Sequence, residues 1–187
     1  MSRPRVLLTD YAWPDLQIER DILDQAGIDL VSPDGTSEEE LIAAANGVDA
    51  IMTNWASTTA RVIAAAPQCR LVARLGIGLD NIDVAYCTAH RIPVTNVPDY
   101  CVIEVAEHAL ALLLSLARNV AFHHLLTKNG TYRLQEGPAL RRISGRTLGI
   151  VGYGKIGRAL ADRARACGLK IMATARRPMA PEPGVTW

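Results

Sequence analysis

The sequence is poor in aromatic residues, 5% with a single phenylalanine, so it lacks the stacked rings on which many nucleic-acid surfaces are built. Cysteine is scarce as well. Cys69, Cys87, Cys101 and Cys167 are scattered without a C-x-x-C pair, which argues against both a zinc site and a disulfide framework and leaves them as small core residues. No metal is expected. Long hydrophobic runs are missing too: Val6-Leu7-Leu8 is far too brief for a signal peptide or a membrane span. The expectation is a cytoplasmic protein without a membrane partner. Net charge is only +1, but residues 1–140 hold 10 Lys/Arg against 17 Asp/Glu, while 141–187 hold 10 against 2. A basic tail can mean nucleic acid, yet this one carries a glycine-rich turn and few rings, so a phosphate-bearing small molecule is the more economical partner.

What is present is a chain of 187 residues, 49% apolar, enough to bury a core of one domain or one and a half. Short β-branched runs alternate with amphipathic stretches, the pattern of a parallel sheet wrapped in helices. Strands are expected at 6–9, 28–31, 48–53, 71–75 and 92–96, and helices at 16–26, 38–45, 59–65 and 83–90. Ser37 followed by Glu40 forms a capping box before the second helix. Five such repeats make a doubly wound α/β domain of about a hundred residues. Val97-Pro98-Asp99 breaks the rhythm, and residues 101–123 read as one long helix with apolar Val102, Val105, Ala109, Leu113, Leu116 and Val120. Leucines at 110, 112 and 114 widen that stripe, so the helix is either a central core helix or a dimer contact. Asn129-Gly130 and Gly137-Pro138 mark a loop, after which a new unit starts: strand 147–151, glycine turn, helix 155–167, strand 170–175.

That turn, Gly152-Tyr153-Gly154-Lys155-Ile156-Gly157, places G-x-G-x-x-G directly between an apolar strand and a helix. Gly152 permits the tight turn, Gly154 lets a pyrophosphate approach the backbone, and Gly157 lets helix and strand pack closely. The unpaired N–H groups and dipole at the helix start would hold the anion. A ligand-free strand-to-helix turn is the plainer alternative. The next strand ends Ala175-Arg176-Arg177, with no Asp or Glu to bind a ribose 2′-OH and repel a 2′-phosphate. The expectation is therefore NADPH in preference to NADH, with NAD still usable and Arg176 or Arg177 on the 2′-phosphate. The alternative for these arginines is solvated loop charge.

Ala73-Arg74-Leu75-Gly76-Ile77-Gly78-Leu79-Asp80-Asn81-Ile82-Asp83, Val94-Thr95-Asn96-Val97-Pro98, Val105-Ala106-Glu107-His108 and the glycine turn, in that order and spacing, resemble the D-isomer-specific 2-hydroxyacid dehydrogenases. That family includes phosphoglycerate dehydrogenase, glyoxylate/hydroxypyruvate reductases and the C-terminal-binding-protein corepressors. The resemblance implies a flavodoxin-like substrate domain over 1–98, an interdomain or dimer helix and loop over 99–140, and the first βαβ half of a Rossmann domain over 141–187. It implies that Leu75, Gly76, Ile77 and Gly78 form a loop whose backbone N–H groups hold the carboxylate of a small 2-oxo or 2-hydroxy acid. Glycines let a backbone come close to a ligand, and open α/β sheets bind theirs beyond the C-terminal ends of strands. Asn81 is expected to steady this loop, and Asn54 with Trp55 either to line the same cleft or simply to cap and pack a loop. The helix at 101–123 matches the family's dimerisation helix, so a homodimer is the default.

The departure is in the chemistry. The family's orienting Arg, proton-transferring His and tuning Glu all fall later than Trp187, so no catalytic residue is expected in this chain and the chain alone is expected to be inactive. His90, His108, His123 and His124 read as packed or solvated, and Arg74 does not match the family's catalytic arginine. The leading expectation is thus a truncated oxidoreductase. The alternative is a dinucleotide-sensing, corepressor-like or dimer-partner module without catalysis; a flavodoxin-like receiver domain would leave the glycine turn unexplained.

Overall fold

β1 (Arg5–Leu8) is apolar on both faces, with Val6, Leu7 and Leu8 all buried, as befits the interior of a parallel sheet covered on both sides. The computed structural model that shows this describes residues 2–187 apart from Leu134 and Pro178. After β1 come α1 (Gln17–Gln25), β2 (Asp29–Val31), α2 (Glu38–Ala45), β3 (Ala50–Thr53), α3 (Ala60–Ala64), β4 (Val72–Arg74), α4 (Val84–Ala89) and β5 (Val94–Thr95). The five strands lie in the order β2-β1-β3-β4-β5, all parallel, with Leu7 opposite Ile51 and Ile51 opposite Val72. The alternating pattern's doubly wound α/β domain is present, and the strand order is the flavodoxin-like one that the family resemblance implied. β2 and β3 end where expected, while β1, β4 and β5 each stop one residue short of the expected end.

The helix starts follow local chemistry. The Ser37 hydroxyl accepts from Glu40 N at 3.3 Å while the Glu40 carboxylate accepts from Ser37 N at 3.0 Å, completing the expected capping box. Thr59 and Asp83 cap α3 and α4 in the same sense, accepting from Val62 N and Tyr86 N. Leu7, Val48, Ile51 and Val72 lie fully buried at the centre of this unit with Cys69 and Cys87. Burial pushes both thiols up from their ordinary value, so they behave as small hydrophobes.

The chain separates into two units, Met1–Tyr100 and Cys101–Trp187. The second contains α5 (Val102–Ala117), α6 (Val120–Lys128), β6 (Thr147–Val151), α7 (Lys155–Ala166), β7 (Lys170–Thr174) and β8 (Val185–Thr186). Its three strands are parallel in the order β6-β7-β8, a βαβ half of a Rossmann sheet extended by one strand. Ile150, Ala161, Ala164, Ile171 and Ala173 form its core, with Tyr153 and Leu169.

The single long helix expected over 101–123 is two helices. They meet at a 66° bend where Asn119 adopts φ 52, ψ 34, a left-handed conformation that asparagine tolerates better than most residues. The Asn119 side-chain amide donates to Pro138 O at 2.7 Å and Arg118 donates to Arg141 O at 3.1 Å, so side-chain bonds to the following loop hold the break. Apolar periodicity runs through it and hides it. α5 is also not a core helix of its unit: only Ala106 is buried, and Ile103, Val105, Leu112 and Leu116 are exposed. It packs on α7, with Leu113 against the core and Glu107 paired to Arg163 at 3.1 Å. No single helix among the described residues is long and apolar enough to cross a membrane.

Candidate functional site

The first candidate region lies beyond the C-terminal ends of β3 and β4, where open parallel sheets present ligands. Leu75 N donates to Thr53 O at 2.9 Å, carrying the β3–β4 pairing one residue further. The loop then turns away. Its carbonyls are tied back, Gly76 O accepting from Val97 N at 2.9 Å and Ile77 O from the Asn96 side chain at 2.8 Å. Among the described residues, nothing accepts from the N–H groups of Gly76, Ile77 and Gly78. A run of unpaired backbone donors beside satisfied carbonyls is chemically suited to an anion.

Asn81 does not steady this loop. Its side-chain amide donates to Ala56 O at 2.9 Å and to Asn54 O and the Thr53 hydroxyl at 3.3 Å, so it secures the neighbouring 53–56 turn, while Asn96 reaches Ile77. The same turn is held from the other side by Asp10, a residue that sequence reasoning missed. The Asp10 carboxylate accepts from Asn54 N at 3.1 Å, Trp55 N at 2.8 Å and Ala56 N at 3.0 Å, and from the Thr9 hydroxyl at 2.8 Å. Burial opposes its charge, but these four bonds outweigh burial and hold the carboxyl below its ordinary value. Within the turn Asn54 is buried and Trp55 is exposed.

The second candidate region is the glycine turn between β6 and α7. Gly152 has φ +98, a conformation that L side chains rarely adopt. A Cβ on Gly157 would fall 2.4 Å from Gly152 O, so only glycine lets α7 start this close to β6. A Cβ on Gly154 would meet nothing within 4 Å, which leaves open the side of the turn a pyrophosphate would approach. Gly154 contributes no side-chain cap to α7, so the Ile156 and Gly157 N–H groups keep the donor character of a helix start. Tyr153 differs from its neighbours. Its ring is buried and its hydroxyl donates to Glu182 at 2.8 Å, with the Arg158 guanidinium 5.1 Å from the ring centre. Burial and the Glu182 bond push that hydroxyl up, while Tyr153 and Arg158 hold Glu182 down. Its side chain therefore fastens the 182–187 segment, and only its backbone belongs to the turn.

Beyond β7, Ala175 is half-buried and Arg176 and Arg177 are exposed; among the described residues neither arginine has a hydrogen-bond or ion-pair partner. Two unpaired cations past the second strand are chemically suited to an anion such as a phosphate. The histidines offer no comparable arrangement. His90 ends α4 stacked on Tyr86 at 3.9 Å, His108 lies on α5, and His123 and His124 lie on α6. None pairs with a carboxylate among the described residues, and those residues hold no cluster of side chains suited to a metal ion.

The sequence model of the D-isomer specific 2-hydroxyacid dehydrogenase catalytic domain matches residues 6–178. D-3-phosphoglycerate dehydrogenase of Mycobacterium tuberculosis is 37% identical over 174 residues, 92% of this chain and 32% of that protein. Hydroxypyruvate reductase of Thermotoga maritima is 35% identical over 176 residues, 92% of this chain and 56% of that one. Among solved structures, a 2-hydroxyacid dehydrogenase from Ketogulonicigenium vulgare superposes with a TM-score of 0.80 at 26% identity, covering 100% of this chain and 58% of the other. The chain thus spans 32% to 58% of the length of these proteins.

Proposed function

The chain belongs to the D-isomer specific 2-hydroxyacid dehydrogenases, and from that premise we propose that its two units are the acid-binding and cofactor-binding parts of an oxidoreductase acting on a small 2-oxo or 2-hydroxy acid. Residues 1–98 are the substrate domain, 99–140 the connecting helices and loop, and 141–187 the start of the dinucleotide domain. The observation that carries the reading is the loop after β4: Gly76, Ile77 and Gly78 offer backbone N–H groups while their neighbouring carbonyls are tied down. Those donors would bind the substrate carboxylate, flanked by Leu75 and by the turn at Asn54 that Asn81 secures.

The glycine turn would hold a nicotinamide dinucleotide by its pyrophosphate, on the backbone of Gly152, Tyr153, Gly154, Lys155, Ile156 and Gly157. When bound, the nicotinamide gives or takes the hydride. Ala175, Arg176 and Arg177 would select NADPH over NADH by accepting the 2′-phosphate where an acid would repel it. Among the described residues no His stands beside a carboxylate to move the matching proton, so this chain would bind both ligands without turning them over. The exposed Ile103, Val105, Leu112 and Leu116 of α5 suit a second copy of the chain, and the four free cysteines suit the reducing cytoplasm. The test is to mix the chain with NADPH or NADH and each of glyoxylate, hydroxypyruvate and pyruvate, following cofactor fluorescence and oxidation. Binding without oxidation is expected. Oxidation would place a proton-transferring group among these residues, and failure to bind either cofactor would contradict the reading.

A further inference from the structure

The bond from Tyr153 to Glu182 also acts in the other direction, on the glycine turn. Glu182 closes a ring of bonds around that turn. One of its oxygens accepts from the Tyr153 hydroxyl at 2.8 Å and the other from Arg158 Nε at 3.3 Å. Arg165 stands 3.7 Å from the first of them. Arg158, near the start of α7, donates in turn from a terminal nitrogen to the Tyr153 carbonyl at 3.1 Å. One guanidinium thus holds Glu182 and the backbone of the turn together, a division of donors that the rigid fork of arginine permits and the compact ammonium of lysine does not.

The Tyr153 carbonyl shares a peptide unit with the Gly154 N–H. In a planar trans peptide the two groups point in opposite directions, so a carbonyl held toward Arg158 turns the Gly154 N–H away from it. Among the described residues nothing accepts from that N–H, and the space where Gly154 would carry a Cβ is open. The Arg158 cation is meanwhile committed to Glu182 and to the backbone. We infer that Glu182 and Arg158 are positioning residues for the dinucleotide: Glu182 fixes the guanidinium, and Arg158, by holding the Tyr153 carbonyl, aims the Gly154 N–H at the pyrophosphate. This rests on the dinucleotide-binding reading of the turn and extends it, because an acid well outside the glycine motif then sets the motif's shape.

The sign of one substitution separates this role from simple charge. Glu182→Gln removes a negative charge beside a site for an anion, which by Coulomb's law alone would tighten binding; positioning predicts that it weakens. The test titrates the full 15N-labelled chain with NADPH, following the Gly154, Ile156 and Gly157 amide resonances. All three are expected to shift with one saturation curve. Glu182→Gln should weaken NADPH binding about tenfold, as for loss of a hydrogen bond to a charged group. Arg158→Lys, which keeps the charge but not the fork, should weaken it as well. Wild-type Ile156 and Gly157 shifts with an unmoved Gly154 amide overturn this inference alone and need no variant to fold. A folded Glu182→Gln variant that binds as tightly as the wild-type chain, or more tightly, does the same. No shift at any of the three amides overturns the dinucleotide-binding reading itself.

Discussion

The first unit pairs five strands and brings Leu7, Ile51 and Val72 to complete burial, whereas the second pairs three and leaves Val151 92% exposed and Met172 49% exposed. Along β6 and β7 buried and exposed positions alternate, where a parallel sheet with helices on both faces would bury both. One face of the second sheet is therefore bare within its own unit, and β6 is a free edge. The two units use the same strand–helix vocabulary, but a strand's residues reveal how much apolar surface it carries, not whether the same chain covers it. Residues 140–187 are accordingly expected to be the weaker part, opening before the first unit does.

The largest effect should follow from Ile51→Ala, in the fully buried centre of the first sheet, at about 2–5 kcal/mol. Denaturant unfolding with a probe in the first unit reads it; a loss below about 1 kcal/mol would mean that this core is less closely packed than its burial indicates. Next is Gly157→Ala, whose methyl meets Gly152 O at 2.4 Å. It should cost the second unit about 1–3 kcal/mol and leave hydrogen exchange in the first unchanged, so equal effects on both units would erase the contrast between them.

Asp10 contributes differently, through pH. Its folded-state carboxyl titrates below its ordinary value, so its contribution is full above the unfolded value of about 3.9 and is lost as pH falls through the lowered folded value. Asp10→Asn should remove that part of the acid dependence and loosen the 54–56 amides in hydrogen exchange. An unchanged acid limb would contradict the assignment. Smallest on unfolding is Leu116→Ala on α5, 80% exposed, within about 0.5 kcal/mol. If a second copy covers that face, sedimentation should still show a weakened dimer; a chain that is monomeric before and after substitution contradicts that proposal.

Much of the fold was legible because it is local. Strand runs, the Ser37–Glu40 capping box and the strand–glycine–helix passage each declare themselves within a few residues. The bend at Asn119 was not, because the apolar stripe continues across it and the bonds that hold it come from a loop about twenty residues away. Asp10 was equally hidden: its three backbone partners lie 44 to 46 residues on, and only β1–β3 pairing brings them together. An acid directly after an apolar strand was the available signal. The role expected of Asn81 shifted for the same reason, since the end of β4 stands beside both loops and sequence cannot tell which one its amide reaches.

The most direct test is a calorimetric titration of the full chain, and of the Arg176→Ala, Arg177→Ala double variant, with NADPH and with NADH. Tighter binding of NADPH to the wild-type chain, with a preference that falls about tenfold or more in the variant, is the expected result. Equal binding of the two cofactors by the wild-type chain, or a preference that survives loss of both arginines, would contradict it.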